Sequence, residues 1–460
     1  MRLARSTVLM LGLILLLALP SAALADPEDN LPDVDPAPAD SGERAVADHE
    51  ERPDVRLRAL GHAPNPASFL NPDIAPPEIN SDLAFWGDLA YQGNYDGFRI
   101  IDISDRRDPV ELSHERCGGN QGDVIVWDNV LVRTWNSPAP EGATCDGQPV
   151  PEGFEGLHVF DVSDKSDPEL IGSLALPCGT HTATGVPDLA NDRLIIYNSG
   201  TGGGPCYFFD VVELPLSDPA AISLLWQEPV RGQHGCHDVG VILGSVNLAA
   251  CASGSAANVY DIGENDHPGG SLEDPEFLYT VEEEGVGEGG NWHSAAFTWD
   301  GEVLVLGWEP GGGGQPECEA TDSEVKRTAF FYDVETGEKL GQWTLPRAQS
   351  SDENCTIHNY NVIPMRNGRY IMVSGNYQAG TWVTEFTDPS SPEVLGWSDP
   401  LPLEPLDIGG AWSSYWYNRT IFESDITEGL NVFRLLRRNV RRQSLTLDHL
   451  NPQTQEFSLP

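Results

Sequence analysis

One pattern governs what this chain can fold into. An apolar run ending in an acid, a polar turn and a second apolar run recur at a near-constant spacing. Gly97-Phe98-Arg99-Ile100-Ile101-Asp102-Ile103-Ser104-Asp105 is followed by Asp108-Pro109 and then Val110-Glu111-Leu112. Gly156-Leu157-His158-Val159-Phe160-Asp161-Val162-Ser163-Asp164 is followed by Asp167-Pro168 and Glu169-Leu170-Ile171. Each passage reads as a hairpin. The same frame passes through Asp102, Asp161, Asp210, Asp261, Asp333, Glu385 and Arg434, at intervals of 59, 49, 51, 72, 52 and 49 residues. A supersecondary unit repeated at such a period signals a repeat architecture.

Each unit has room for four short strands. In the fourth they are expected at His237–Leu243, Val246–Ala252, Asn258–Ile262 and Glu276–Val281. Short runs between turn signals, with no sustained helical period, predict an all-β fold, and four-stranded units set around an axis are propeller blades. The last unit lacks a clear fourth strand after Leu435, while Val55–Leu60 stands unused ahead of the first. Pairing the two closes the ring and removes open edges. The expectation is a seven-bladed β-propeller over residues 54–436, closed by an N-terminal strand, with 437–460 as a tail. An open solenoid leaves the spare strand unexplained.

Residues 1–25 have the form of a secretory signal: Arg2 and Arg5, an apolar core over Val8–Ala18, and Ala23-Leu24-Ala25 as a small-x-small cleavage site. Residues 26–53, rich in Asp, Glu, Pro and Ala, bury too little apolar surface to offset their ordering entropy and are read as a disordered tether. No second run of about 20 apolar residues follows, so no membrane span is expected. The net charge of -45 repels phosphate backbones and excludes nucleic acid as a partner. Lysine occurs only at 165, 326 and 339. An acidic secreted chain and adaptation to salt both account for that balance. The chain is expected to be exported, extracellular and monomeric.

The apolar-Asp-Ile/Val-Ser-Asp runs, with a preceding Gly and a following Asp-Pro, resemble the LVIVD-repeat proteins. The resemblance covers about Asp54 to Leu435 and is closest in the first two units. It implies a propeller and export from a bacterial or archaeal cell, and no particular chemistry. The repeated Asp itself is read as an acceptor for backbone N–H groups of the turn that follows.

Export makes the eight cysteines candidates for disulfides. Cys117, Cys178, Cys236 and Cys355 lie at or just before first strands. Cys145, Cys206, Cys251 and Cys318 lie at or after the ends of second strands. The repeat frame therefore favours Cys117–Cys145, Cys178–Cys206, Cys236–Cys251 and Cys318–Cys355.

A second periodicity involves histidine. His181, His237, His293 and His358 each open the predicted first strand of units three to six. First strands line a propeller's channel, so four of the eleven histidines are expected at one level of one funnel. Converging imidazoles suit a single Zn, Cu or Fe ion. His234 and Asp238 would add a ligand or an outer partner that fixes a tautomer. Units one, two and seven carry Asn80, Asn120 or Gln121, and Ser413 near this position, so the set covers one side of the ring. The alternative is that a seven-bladed channel holds the rings too far apart, leaving each to bond between neighbouring blades. Two functions follow. One is a secreted binding scaffold for a protein, cell-surface or small-molecule ligand. The other is a metal-dependent oxidoreductase or hydrolase with its site at the channel mouth.

The remaining features carry less. Gly202–Gly204 and Gly311–Gly314 do not lie between a strand and a helix, so they are not phosphate loops. The tryptophans at 86, 127, 135, 292, 308, 412 and 416 fit packing between sheets better than a binding face. Arg434, Arg437, Arg438, Arg441 and Arg442 are expected to meet the chain's own acids.

Overall fold

The computed structural model describes residues 57–65, 79–200, 206–232, 234–244, 246–263, 269–287, 290–313, 316–351, 353–399, 403 and 408–457. The expected signal peptide and tether lie outside them. Seven antiparallel sheets of four strands each form a seven-bladed propeller. The inner strands are Asn80–Trp86, Val124–Trp127, Thr182–Asp188, Val239–Ile242, Gly290–Phe297, Tyr360–Val362 and Ala411–Tyr417. In the seventh blade the outer position is taken by Arg58–Pro64, antiparallel to Gly429–Arg434. That strand begins three residues later than Val55.

Burial explains the run of each strand. Second strands are covered on both faces by neighbouring blades, so Val303–Pro310 is buried throughout. Such strands read as continuous apolar runs rather than alternating ones. Outer strands meet solvent and alternate, as Val110–Arg116 does.

Every blade shifts register once between its third and fourth strands. The extra residue on the outer strand is Leu112, Ile171, Leu225, Leu278, Leu340, Leu395 and, in the seventh blade, Leu60. A bulge bends its strand and increases local twist. An aliphatic residue at the same bulge in every blade is a part of the repeat that the spacing of the acids does not reveal.

The acids behave as turn acceptors. Asp102 Oδ1 accepts from Ser104 N–H and Asp161 Oδ1 from Ser163 N–H, both at 2.8 Å. Asp261 accepts from Gly263 N–H at 2.9 Å. Asp210 departs from the frame. Its strand continues to Pro215, so it lies mid-strand, buried, accepting from Asn198 and Gln227 side chains. All four expected disulfides are present: Cys117–Cys145, Cys178–Cys206, Cys236–Cys251 and Cys318–Cys355.

The C-terminal segment circles the channel. After a helix over Arg438–Gln443, Leu445 N–H donates to Pro364 O in the sixth blade. Leu447 N–H donates to Asn418 in the seventh. His449–Leu450 pairs with Phe85 and Trp86 in the first. Asn451 bonds Val126 in the second through both its amide atoms. Thr454 donates to Gly185 O in the third, and Thr454–Gln455 pairs in parallel with Val241–Ile242 in the fourth. The Gln455 side chain bonds Phe297 in the fifth. The segment thus meets all seven blades in ring order, toward the C-terminal ends of the inner strands. The histidines lie at the opposite end.

Candidate metal centre

Backbone pairing sets the four histidines at one level. His181, His237 and His358 stand one or two residues ahead of their inner strands. Their N–H groups donate to Ser199 O, Ala252 O and Gly375 O at the ends of the second strands. His293 lies inside its strand, where Trp292 pairs with Trp308 and Ser294 with Gly307. It is the extra residue of a bulge, which turns its side chain out of the sheet. The rings form a continuous arc. Centroids are 4.4 Å apart for His181 and His237, 3.9 Å for His237 and His293, and 4.1 Å for His293 and His358. The concern that the channel separates them is not met: the arc is off-centre, against blades three to six.

Each ring is held through Nδ1. His181 Nδ1 faces Asn136 Oδ1 and His237 Nδ1 faces Asp238 Oδ1, both at 3.0 Å. His358 Nδ1 faces the Trp412 carbonyl, which can only accept. His293 Nδ1 faces Ser294 Oγ, whose hydrogen is directed to His358 O, so the hydroxyl accepts from the imidazole. With Asp238 in its carboxylate form all four partners accept, which places the proton on Nδ1 and leaves Nε2 a lone pair, the arrangement outer partners impose on metal-binding histidines.

His181 Nε2 and His237 Nε2 are 2.8 Å apart. With both protons on Nδ1, two lone pairs face each other in a buried site. Two nitrogens at about 2.0–2.1 Å from one ion, at ordinary bond angles, stand about 2.9–3.4 Å apart. The pair is therefore close to ligand spacing. Burial lowers His237 and His358 to about 3 and holds His181 and His293 well below the usual imidazole range. Neutral imidazoles are the form a metal requires.

Glu309 completes the set. Its Oε2 is 3.8 Å from His293 Nε2 and its Oε1 is 3.6 Å from His358 Nε2. The ligand atoms of His293, Glu309 and His358 lie within 4.8 Å of one another. Burial raises the Glu309 carboxyl to about 7, against the opposing hydrogen bond from Tyr377. Sequence reasoning missed Glu309. The available signal was a lone acid in the apolar strand Val303–Pro310. It also missed Asn136, Ser294 and Tyr377. Tyr377 has a positive φ of 50°, donates to Glu309 Oε1 at 2.9 Å and lays its ring 4.4 Å from that of His358. A bulky residue in this region is strained, and such strain persists where surrounding structure enforces it.

The centre opens into a cavity of about 290 Å³. His234, exposed, lines it with Gln121, whose Nε2 is 3.5 Å from His181 Nε2. Asn80 and Ser413 are buried away from it. Beneath the rings is a chamber of about 10 Å³, about the size that admits one water. Asp82, Asp123, Asp238 and Gln453 line it, and Gln453 donates to Asp82 from the C-terminal segment. Burial raises Asp82 to about 6 and Asp238 to about 7.

The LVIVD repeat matches two stretches, residues 80–114, which take in the first three strands of the first blade and most of the fourth, and residues 153–175. The chain carries LVIVD repeats there. No curated protein matches it. Among solved structures it is similar to Raptor of Chaetomium thermophilum, with 10% identity and a TM-score of 0.48 over 83% of this chain and 29% of that one. It therefore spans under a third of Raptor. It is similar to the β-propeller domain of Cps50 (Swd1) of Myceliophteria thermophila, with 11% identity and a TM-score of 0.48 over 77% and 96% of the two chains. It is also similar to a putative 6-phosphogluconolactonase of Bacteroides fragilis, with 12% identity and a TM-score of 0.45 over 84% and 99%. Likeness of this order says nothing of what the chain binds. Its signature turns and its histidines occupy opposite ends of the blades.

The carboxyl of Glu309 sets a pH dependence. A metal must displace its proton below about pH 7, so affinity should rise about tenfold per pH unit up to 7 and level off above. The imidazoles, already neutral above about pH 4, add no slope there. Metal titrations between pH 5 and 8 check this. Glu309→Gln should bind more weakly and with a shallower profile, the remaining slope coming from Asp238 beside His237.

Proposed function

We propose that this propeller is a metal-dependent enzyme. It holds one first-row transition-metal ion (Zn, Cu or Fe) at the channel mouth within the arc of His181, His237, His293 and His358, where Glu309 stands beside His293 and His358. The ion would supply Lewis-acid or redox chemistry at a position open to the cavity. The observation that carries this reading is the facing pair of Nε2 atoms, 2.8 Å apart, each with its Nδ1 proton already engaged. A cation between them relieves that repulsion. The notion that each ring only bonds between blades accounts for the Nδ1 partners and not for the contact between His181 Nε2 and His237 Nε2. Among the described residues no helix is long and apolar enough to cross a membrane. Four disulfides and the signal-like N-terminus support work in an oxidising compartment outside the cell.

A binding scaffold is the second reading. It is favoured by exposed Tyr207, Leu225 and Trp226 on the third blade, since exposed aromatic and aliphatic groups often mark docking surfaces. Elemental analysis of purified protein separates the two. One equivalent of transition metal, lost in His237→Ala, is the expected result. Substoichiometric metal that is unchanged in the variant would sink the enzyme and leave the scaffold.

A further inference from the structure

The arc of imidazoles covers blades three to six, and next to its His358 end the cavity has a different chemistry. There Tyr377 and Trp412, with Ile79 and Ile426, form a small apolar cluster separate from the cores between blades. Tyr95 and Ile408 pack on it and line the cavity. Tyr95 meets Trp412 edge to face with centroids 6.4 Å apart. Among the described residues that line the cavity there is no lysine or arginine. The cavity thus has a wall of metal-ligating atoms and a wall of aromatic and aliphatic surface.

This composition selects a ligand. Carboxylates and phosphates are usually bound by guanidinium or ammonium groups, and none is present. A volume of about 290 Å³ is at the small end of ligand pockets. The protein's own phenol shows the fit. The Tyr377 ring lies against the His358 imidazole while its hydroxyl donates to Glu309 Oε1. Glu309 Oε2 remains turned toward His293.

We propose that the cavity binds a small uncharged phenol. Its oxygen reaches the metal position, and its ring packs against Trp412, Tyr95 and Ile408. This rests on the metal reading above and specifies its substrate class.

Cobalt(II)-loaded protein provides the test, because visible cobalt bands respond to a new ligand. Phenol, benzoate and cyclohexanol are titrated in parallel. Phenol should shift the bands saturably. Cyclohexanol, which lacks the π-face, should require about tenfold higher concentration. Benzoate should bind at least about tenfold more weakly than phenol, and Ile408→Lys should narrow or reverse that preference. Trp412→Phe, which preserves the packing of His358, should weaken phenol less than Trp412→Leu at equal cobalt content. Benzoate matching phenol in the unaltered protein would overturn the proposal. So would phenol leaving the bands unchanged while cobalt remains bound one to one; in that case the metal reading stands. Failure to hold cobalt, zinc or copper at all overturns both.

Discussion

Removing residues 445–460 should leave a propeller that unfolds at markedly lower denaturant concentration. The segment supplies backbone pairing to the inner strands at Phe85–Trp86 and Val241–Ile242. It also provides side-chain bonds to Val126, Gly185 and Phe297. Leu447 and Leu450 add buried apolar surface to the largest core cluster. Each intramolecular hydrogen bond contributes about 1 kcal/mol net, and each buried leucine about 1.5–3 kcal/mol. Ordering the segment has a backbone entropy cost that opposes these terms, and a net loss of even about 2 kcal/mol is a large part of a typical stability.

The loss extends beyond energy. The truncated chain would expose backbone groups of two inner strands, and open edges recruit other chains. It would also remove Gln453 from Asp82, opening the chamber beneath the imidazoles from below. Equilibrium unfolding by fluorescence and light scattering at the midpoint measure both effects. A truncated protein with an unchanged midpoint and no aggregation would show that the segment is an ornament on a ring that closes without it. Thr454→Val, which removes only the bond to Gly185 O, should cost about 1 kcal/mol and serves as the graded control.

The chain declares its blades because blades are local. Residues that form one hairpin are close in sequence, so the apolar runs, the acids and the turns repeat visibly. The cysteine pairs were legible for the same reason: Cys236 and Cys251 flank a single hairpin. The histidines could be placed because a shared offset from a repeated strand becomes a shared height in the ring. What was illegible is contact between distant segments. Glu309 meets His293 on the neighbouring strand of its own blade but His358 across a blade boundary, and no spacing encodes the second contact. The circling of 445–457 was invisible because its pairing stretches are two residues long, below any periodic signal. Asp210 was misplaced because an acid at the right interval is weaker evidence than the length of its strand.

The bulges show the same limit from another side. The aliphatic residue at each outer bulge was part of the runs read as Val-Glu-Leu and Glu-Leu-Ile. Only the register identifies it as the residue that has no partner. His293 is likewise a bulge, on an inner strand, where the extra residue serves the site instead of the twist.

That position makes His293 the residue whose loss should weaken metal binding most. It alone belongs to both compact groups of ligand atoms, with His237 and Asp238 on one side and with Glu309 and His358 on the other. Its ring contacts both neighbours, whereas His181 sits at the end of the arc and has only His237 beside it. Outer partners of a metal site typically contribute about 10- to 100-fold in affinity. Ser294→Ala, which removes the acceptor that fixes the His293 tautomer, should fall in that range. His293→Ala removes the ligand itself and should exceed it, while His181→Ala should cost less than His293→Ala. Competition with a chelator of known affinity gives the order. A second readout is thermal: free metal at about 100 times the dissociation constant stabilises a folded protein by about 2.7 kcal/mol. Metal should therefore raise the melting temperature of the unaltered protein, raise that of His181→Ala less, and leave that of His293→Ala unchanged. If His181→Ala and His293→Ala lost metal equally, the ion would depend on the His181 end of the arc as much as on His293, Glu309 and His358.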